Sequence, residues 1–217
     1  ILLNDEGQEV NKPNIVGKLC VKYPWPSIAR TIWGNHQRYI DTYFSTYKNM
    51  YFTGDGAFKD NEGNFRITGR VDDVIIVSGH NLGTAPIEDA INEHEHIAES
   101  AVVGFPHPVK GNALFAFLTL DRQKIASDLI KEHNPVVLME YSELLFKEIN
   151  SLISEKIGPI AKLNKIQITA GLPKTRSGKI MRRILRKIAS NQTENLGDIS
   201  TLLNPNVVQE IIDNYQN

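Results

Sequence analysis

The chain has 217 residues, 41% hydrophobic and 23% charged, with 24 Lys and Arg against 25 Asp and Glu. That is enough apolar material for a core of one large domain or two small ones, and the net charge of −1 leaves no field to gather nucleic acid or anionic lipid. A single cysteine, Cys20, excludes an intrachain disulfide and fits a reducing, cytoplasmic setting, and no apolar run is long enough to span a bilayer.

The chain opens on Ile1 rather than Met, and its first residues read as the continuation of a longer protein. Residues 1–70 are strand-like and turn-rich. Ile15–Val21 reads as a strand, and Trp33–Tyr47 as a short helix in which Tyr39, Tyr43 and Tyr47 recur at four-residue spacing. Tyr51-Phe52-Thr53 is expected to be a strand closed by a turn at Gly54-Asp55-Gly56. Asp60–Asn64 is a hairpin turn returning into Phe65–Gly69. From Val74 strands and helices alternate. The strands are Val74–Val77, Ala101–Phe105, Leu114–Leu120 and Ile166–Thr169; the helices are Pro86–His94, Ser142–Lys156 and Ile180–Ala189. Asp121–Glu140 reads as an irregular insertion, and the polar stretch after Ser190 as a tail that lies along the surface or ends in a short helix. The pattern predicts an α+β fold: a strand-rich end of a larger domain over 1–71, a small α+β domain over 72–190, and a tail over 191–217.

The strongest chemical feature is Leu172-Pro173-Lys174-Thr175-Arg176-Ser177-Gly178-Lys179, a loop leading into an amphipathic helix. Ile180, Ile184 and Ile188 stripe one side of that helix, and Arg182, Arg183, Arg186 and Lys187 the other. Lys179 near a helix N-terminus suits an anion such as a phosphate or carboxylate. Seven Lys and Arg without an acid over 174–187 also fit a solvated basic face or a nucleic-acid patch. Three weaker features precede it. Asp55 beside glycines can accept from two ribose hydroxyls, or is simply part of a turn. Arg70 can donate a forked pair of hydrogen bonds, or be tied up with Asp72 and Asp73. Ser78-Gly79 lets a narrow ligand pass the backbone, or is simply a strand-to-helix turn. His94 and His96 are metal-binding types, but alternate residues at a helix end do not share a face, and no zinc site is expected.

The order of these features along the chain resembles the adenylate-forming superfamily of acyl-CoA synthetases. Tyr-x-Thr-Gly-Asp at Tyr51–Asp55 is followed by Thr-Gly-Arg-x-Asp-Asp at Thr68–Asp73, Ser78-Gly79, and Pro173–Lys187. The last of these, with Trp25–Trp33 and Asn195–Leu202, is similar to the acetyl-CoA synthetase branch. The resemblance implies a two-step acetate–CoA ligase with acetate, ATP and CoA as substrates and Mg2+ as cofactor. It implies that Asp55 and Arg70 bind the ribose of ATP and that Asn81 stands near the phosphates, where bacterial relatives carry an arginine. Ser78 and Gly79 would line the CoA path, and Ser154 stands where relatives have an arginine near CoA. Asp72 would be the hinge between half-reactions, and Lys179 the adenylation lysine and a target of regulatory acetylation, which brings in a lysine acetyltransferase and deacetylase as partners. Backbone carbonyls of Asn92, His94 and Ile97 would hold the magnesium. The Ser/Thr/Gly-rich phosphate loop and the acyl-pocket segment are not in this chain, so it is expected to work with its own N-terminal domain and to be inactive alone. The alternatives are another short-chain acyl-CoA ligase and a basic-helix nucleic-acid module.

Overall fold

Residues 2–70 carry a four-stranded antiparallel sheet in a computed structural model that describes residues 1–121, 123–124, 135–197 and 199–215. Its strands, in spatial and chain order, are β1 (Leu2–Leu3), β2 (Gly17–Val21), β3 (Tyr51–Lys59) and β4 (Phe65–Arg70). Backbone contacts divide the chain into two units, Ile1–Val74 and Ile75–Asn217.

In the first unit, α1 is shorter than its tyrosine spacing predicts, spanning His36–Tyr43 with Asn35 as N-cap accepting from the Arg38 amide at 3.0 Å. Tyr43 stacks on Tyr51 at 4.8 Å, whereas Tyr47 lies past the helix end and donates to the Asn4 carbonyl. The expected turn at Gly54-Asp55-Gly56 is not a turn. β3 runs straight through it, with Gly54 at φ 80° and a register shift between Gly56 and Ala57. Glycines here mark an irregular strand, which composition alone does not separate from a turn. The hairpin turn at 60–64 forms around the Asp60 carboxylate, which accepts from the Glu62 and Asn64 amides at 2.9 and 2.8 Å. The bonds from Asn64 hold its pKa below the usual carboxylate value. Cys20 is buried, and burial raises its thiol pKa.

The second unit is built on a long hairpin of β7 (Ile97–His107) and β8 (Gly111–Leu120), preceded by the short pair β5 (Ile75–Val77) and β6 (His80–Leu82). β9 (Lys165–Thr169) lies parallel to β8. Leu114, Ala116 and Leu118 face one core with α2 (Thr84–Asn92) and α3 (Pro135–Lys156). Phe115 and Phe117 face a second core with α4 (Arg182–Ala189) and α5 (Asn206–Asp213). Both faces of β8 are covered, which explains its unbroken apolar run. No helix among the described residues is long and apolar enough to cross a membrane.

Three expectations are corrected in this unit. α3 starts at Pro135, seven residues before Ser142, so the described end of the expected insertion is helical; the middle of Asp121–Glu140 lies outside the described residues. Proline at the first helical position is the usual start signal, and the valines after it hide the amphipathic repeat. α4 starts at Arg182 instead of Ile180, because Ile180 bridges back to Lys174. The expected surface tail is partly core: Leu202, Val207, Val208 and Ile211 are buried in the second cluster. Truncating Leu202 to Ala should therefore cost about 2–5 kcal/mol of stability, read as a lower urea midpoint with unchanged slope. A change under about 0.5 kcal/mol would mean the tail does not pack there in solution.

Candidate functional site

In the first unit, Asp55 and Arg70 face each other across β3 and β4, with Arg70 Nη1 3.6 Å from Asp55 Oδ1. Arg70 Nη1 also donates to the Thr53 carbonyl at 3.0 Å, and its Nε to Asp72 Oδ1 at 3.0 Å. The guanidinium thus lies flat over Gly54, where a Cβ would sit 2.5 Å from both Nη atoms. Gly54→Ala is expected to displace Arg70 and to strain a positive φ, costing about 1–3 kcal/mol in unfolding experiments. A change under about 0.5 kcal/mol would mean that the guanidinium does not rest on Gly54 in solution. Burial between neighbouring tyrosines raises the Tyr51 phenol pKa.

In the second unit, Ser78 (φ 48°) and Gly79 (φ 82°) are the two central residues of a tight hairpin between β5 and β6. The turn is strand-to-strand, not strand-to-helix, because β6 intervenes before α2. Ser78 is exposed and its amide donates to the Lys110 carbonyl at 3.0 Å. Asn81 is exposed on β6 opposite Ile76. Ser154 lies on α3, where its buried hydroxyl has no hydrogen-bond partner among the described residues. His94 and His96 do meet, with rings 5.4 Å apart, because the chain leaves the helix at Asn92 and turns back. His94 Nε2 lies 3.1 Å from Glu148, and the Tyr141 hydroxyl 3.0 Å from His96 Nδ1, so both rings brace α3. The carbonyl of His94 accepts the Ile97 amide at 3.0 Å and Asn92 Oδ1 accepts from Ser100 at 2.8 Å. A carbonyl oxygen carries two lone pairs, so the His94 carbonyl keeps capacity for a second donor or a hard cation.

The loop of 174–180 is a closed turn. Thr175 N donates to the Lys179 carbonyl at 2.9 Å, the Lys179 amide donates to Thr175 Oγ1 at 3.2 Å, and Gly178 N donates to the Thr175 carbonyl at 2.9 Å. Lys179 is exposed, three residues before the first residue of α4. Its backbone is therefore held while its ammonium projects into solvent. Most of the surrounding cations are engaged within the fold. Lys174 reaches Glu99 at 2.5 Å, Arg182 forks onto Glu88, Arg183 donates to the Leu196 carbonyl at 2.7 Å, and Lys187 donates to the Asn195 carbonyl. Arg182, expected on the solvated face, is a core partner instead. An acid on the inward side of α2, next to Ile87 and Ile91, was the available sign of such a pairing.

Residues 86–179 match the AMP-binding enzyme C-terminal domain family. The chain is 50% identical over 98% of its length to an acetyl-coenzyme A synthetase of Leptospira biflexa, and 51% identical over 100% to one of Alcanivorax borkumensis. It spans 30% and 31% of the length of those two relatives. Among solved structures, acetoacetyl-CoA synthetase from Streptomyces lividans covers 98% of this chain with 30% of its own, at TM-score 0.75 and 21% identity. The anthranilate CoA ligase AuaEII in complex with anthranoyl-AMP covers 88% of this chain with 33% of its own, at TM-score 0.71 and 27% identity.

Proposed function

We propose that this chain, whose residues 86–179 match the AMP-binding enzyme C-terminal domain, forms part of an acetate–CoA ligase. The observation that carries this reading is the exposed Lys179 ammonium on a turn whose backbone is closed by Thr175. An acetate oxygen attacks the α-phosphorus of ATP, the bond to pyrophosphate breaks, and acetyl-AMP forms. The sulfur of CoA then attacks the acyl carbon; its proton is lost, the bond to AMP breaks, and acetyl-CoA leaves.

Lys179 would reach the carboxylate and the α-phosphate and neutralise the charge they share in the first transition state. Asp55 would accept from the ribose hydroxyls, with Arg70 donating beside it. Ser78 and Gly79 would line the path of the CoA thiol, an open position since a Cβ at Gly79 would meet nothing within 4 Å. Asn81 is neutral and would contact phosphate oxygens only as a hydrogen-bond donor; Ser154 brings no charge to CoA. Carbonyls of Asn92, His94 and Ile97 would hold a magnesium ion, which would brace the end of α2 against β7. Asp72, at the 3-10 turn Val71–Asp73, is the residue where the backbone would change between half-reactions. Acetylation of Lys179 by a lysine acetyltransferase would remove the charge adenylation needs, and a deacetylase would restore it. A cytoplasmic setting is part of the same proposal. The net charge of −1 gives the nucleic-acid alternative no overall field, and one cation of the basic helix, Arg182, is paired with Glu88.

The test is acetate-dependent ATP–pyrophosphate exchange by the whole protein that carries this chain, run beside propionate and acetoacetate. Exchange with acetate at the highest kcat/KM supports the reading. A better rate with either other acid moves the assignment to another short-chain ligase, and no exchange with any of them sinks it.

A further inference from the structure

Glu88 sits on the inward side of α2, only 7% exposed. Its carboxylate takes three N–H donors: Arg182 Nε to Oε1 at 3.0 Å, Arg182 Nη2 to Oε2 at 2.5 Å, and the Val102 amide to Oε1 at 2.8 Å. A two-point fork between planar groups fixes direction as well as distance. Arg182 is the first residue of α4, three positions after Lys179. On the other side of the turn, Lys174 reaches Glu99 on β7, and the Lys174 carbonyl accepts from the Leu203 amide at 2.8 Å. Both stems of the Lys179 turn are thus tied to the same strand, one of them through a largely buried charge pair. Buried ion pairs are poor stabilisers against well-packed apolar residues of the same volume, so stability alone is a weak reason to place one here.

We infer that Glu88 is a positioning residue for Lys179: through Arg182 and the Val102 amide it sets where the turn ends and α4 begins, and hence where the ammonium projects. The inference rests on the reading of Lys179 as the adenylation lysine. Thr175 holds the Lys179 backbone within the turn, but the exposed ammonium has no partner among the described residues, so its position depends on how the stems set the turn. A displacement of the turn by about 1 Å is worth on the order of 100-fold in rate.

The experiment uses the whole enzyme with Glu88→Gln and Arg182→Lys, each alone and combined with Lys179→Ala. Gln keeps the volume and an acceptor for the Val102 amide; Lys keeps the charge and loses the fork. Both are expected to lower kcat of acetate-dependent pyrophosphate exchange by about 10- to 100-fold, with KM for ATP and acetate within about threefold. Thioester formation from supplied acetyl-AMP and CoA should stay within about threefold, and neither variant should reduce exchange further once Lys179 is Ala. Equal loss in both half-reactions, an additive loss on Lys179→Ala, or unchanged exchange would overturn the inference. Circular dichroism identifies a variant that does not fold, and the milder Arg182→Lys then carries the comparison. If Lys179→Ala alone leaves exchange intact, the adenylation reading fails first and takes this one with it, an outcome recognisable without any change at Glu88.

Discussion

Replacing Lys179 with Ala in the whole enzyme should lower acetate-dependent pyrophosphate exchange by about 10²–10³-fold, the usual effect of removing one preorganised electrostatic donor from a transition state. Thioester formation from supplied acetyl-AMP should be nearly unaffected. The asymmetry follows from the proposed chemistry: in the first step a carboxylate and a phosphate, both anionic, would have to approach, whereas in the second the acyl carbon would be attacked by sulfur as AMP leaves. The fold should tolerate the change, because the Lys179 side chain is exposed and the turn is closed by backbone and Thr175 contacts that Ala retains. Lys179→Gln, which resembles the acetylated lysine in charge, should behave like Ala. Comparable damage to both half-reactions would remove the electrostatic role.

Asp72→Pro is expected to separate the half-reactions in a different way, leaving one within a few-fold and lowering the other by about 100-fold or more. Proline fixes φ and pushes the preceding residue out of the helical region, here Val71, which opens the 3-10 turn of Val71–Asp73. Extended backbone flanks that turn on both sides, at Arg70 (ψ 141°) and Val74 (ψ 131°), so these three residues are where a rotation of the chain would be taken up. Asp72→Ala is the control: it removes the acceptor for Arg70 Nε while leaving the backbone free. It should lose less than about tenfold in either step, in line with one partly exposed ion pair. If Asp72→Ala reproduces the proline variant, the side chain rather than the backbone matters and the hinge assignment fails.

Several elements were legible because their cause is local. The turn around Asp60 follows from a carboxylate capping nearby amides, and α2 from Ile87, Ala90 and Ile91 on one side. The order of short motifs from Tyr51 to Lys179 resembles that of adenylate-forming enzymes and depends on no long-range contact. Where local cues were ambiguous, the expectation went astray. Gly54-Asp55-Gly56 has turn composition, but pairing with β2 and β4 holds it in a strand, and Gly54 is needed there to make room for Arg70. The tail after Ser190 is polar on average, yet Leu202, Val207, Val208 and Ile211 complete a core that only exists once β7 and β8 are paired.

What this sequence determined by itself was the set of chemical groups, their order, and the lengths of the strongly periodic elements, because those depend on residues within a few positions of one another. What tertiary structure decided was how those groups are aimed. Glu88 and Arg182 are 94 residues apart, and both look like surface charges until α2 and α4 are laid against β7. Side-chain periodicity carries no information about a partner that distant, since a charge is read as solvated unless folding removes the water around it. Burial of the pair, and with it the fixed junction between the Lys179 turn and α4, is a property of the packed sheet and not of either segment.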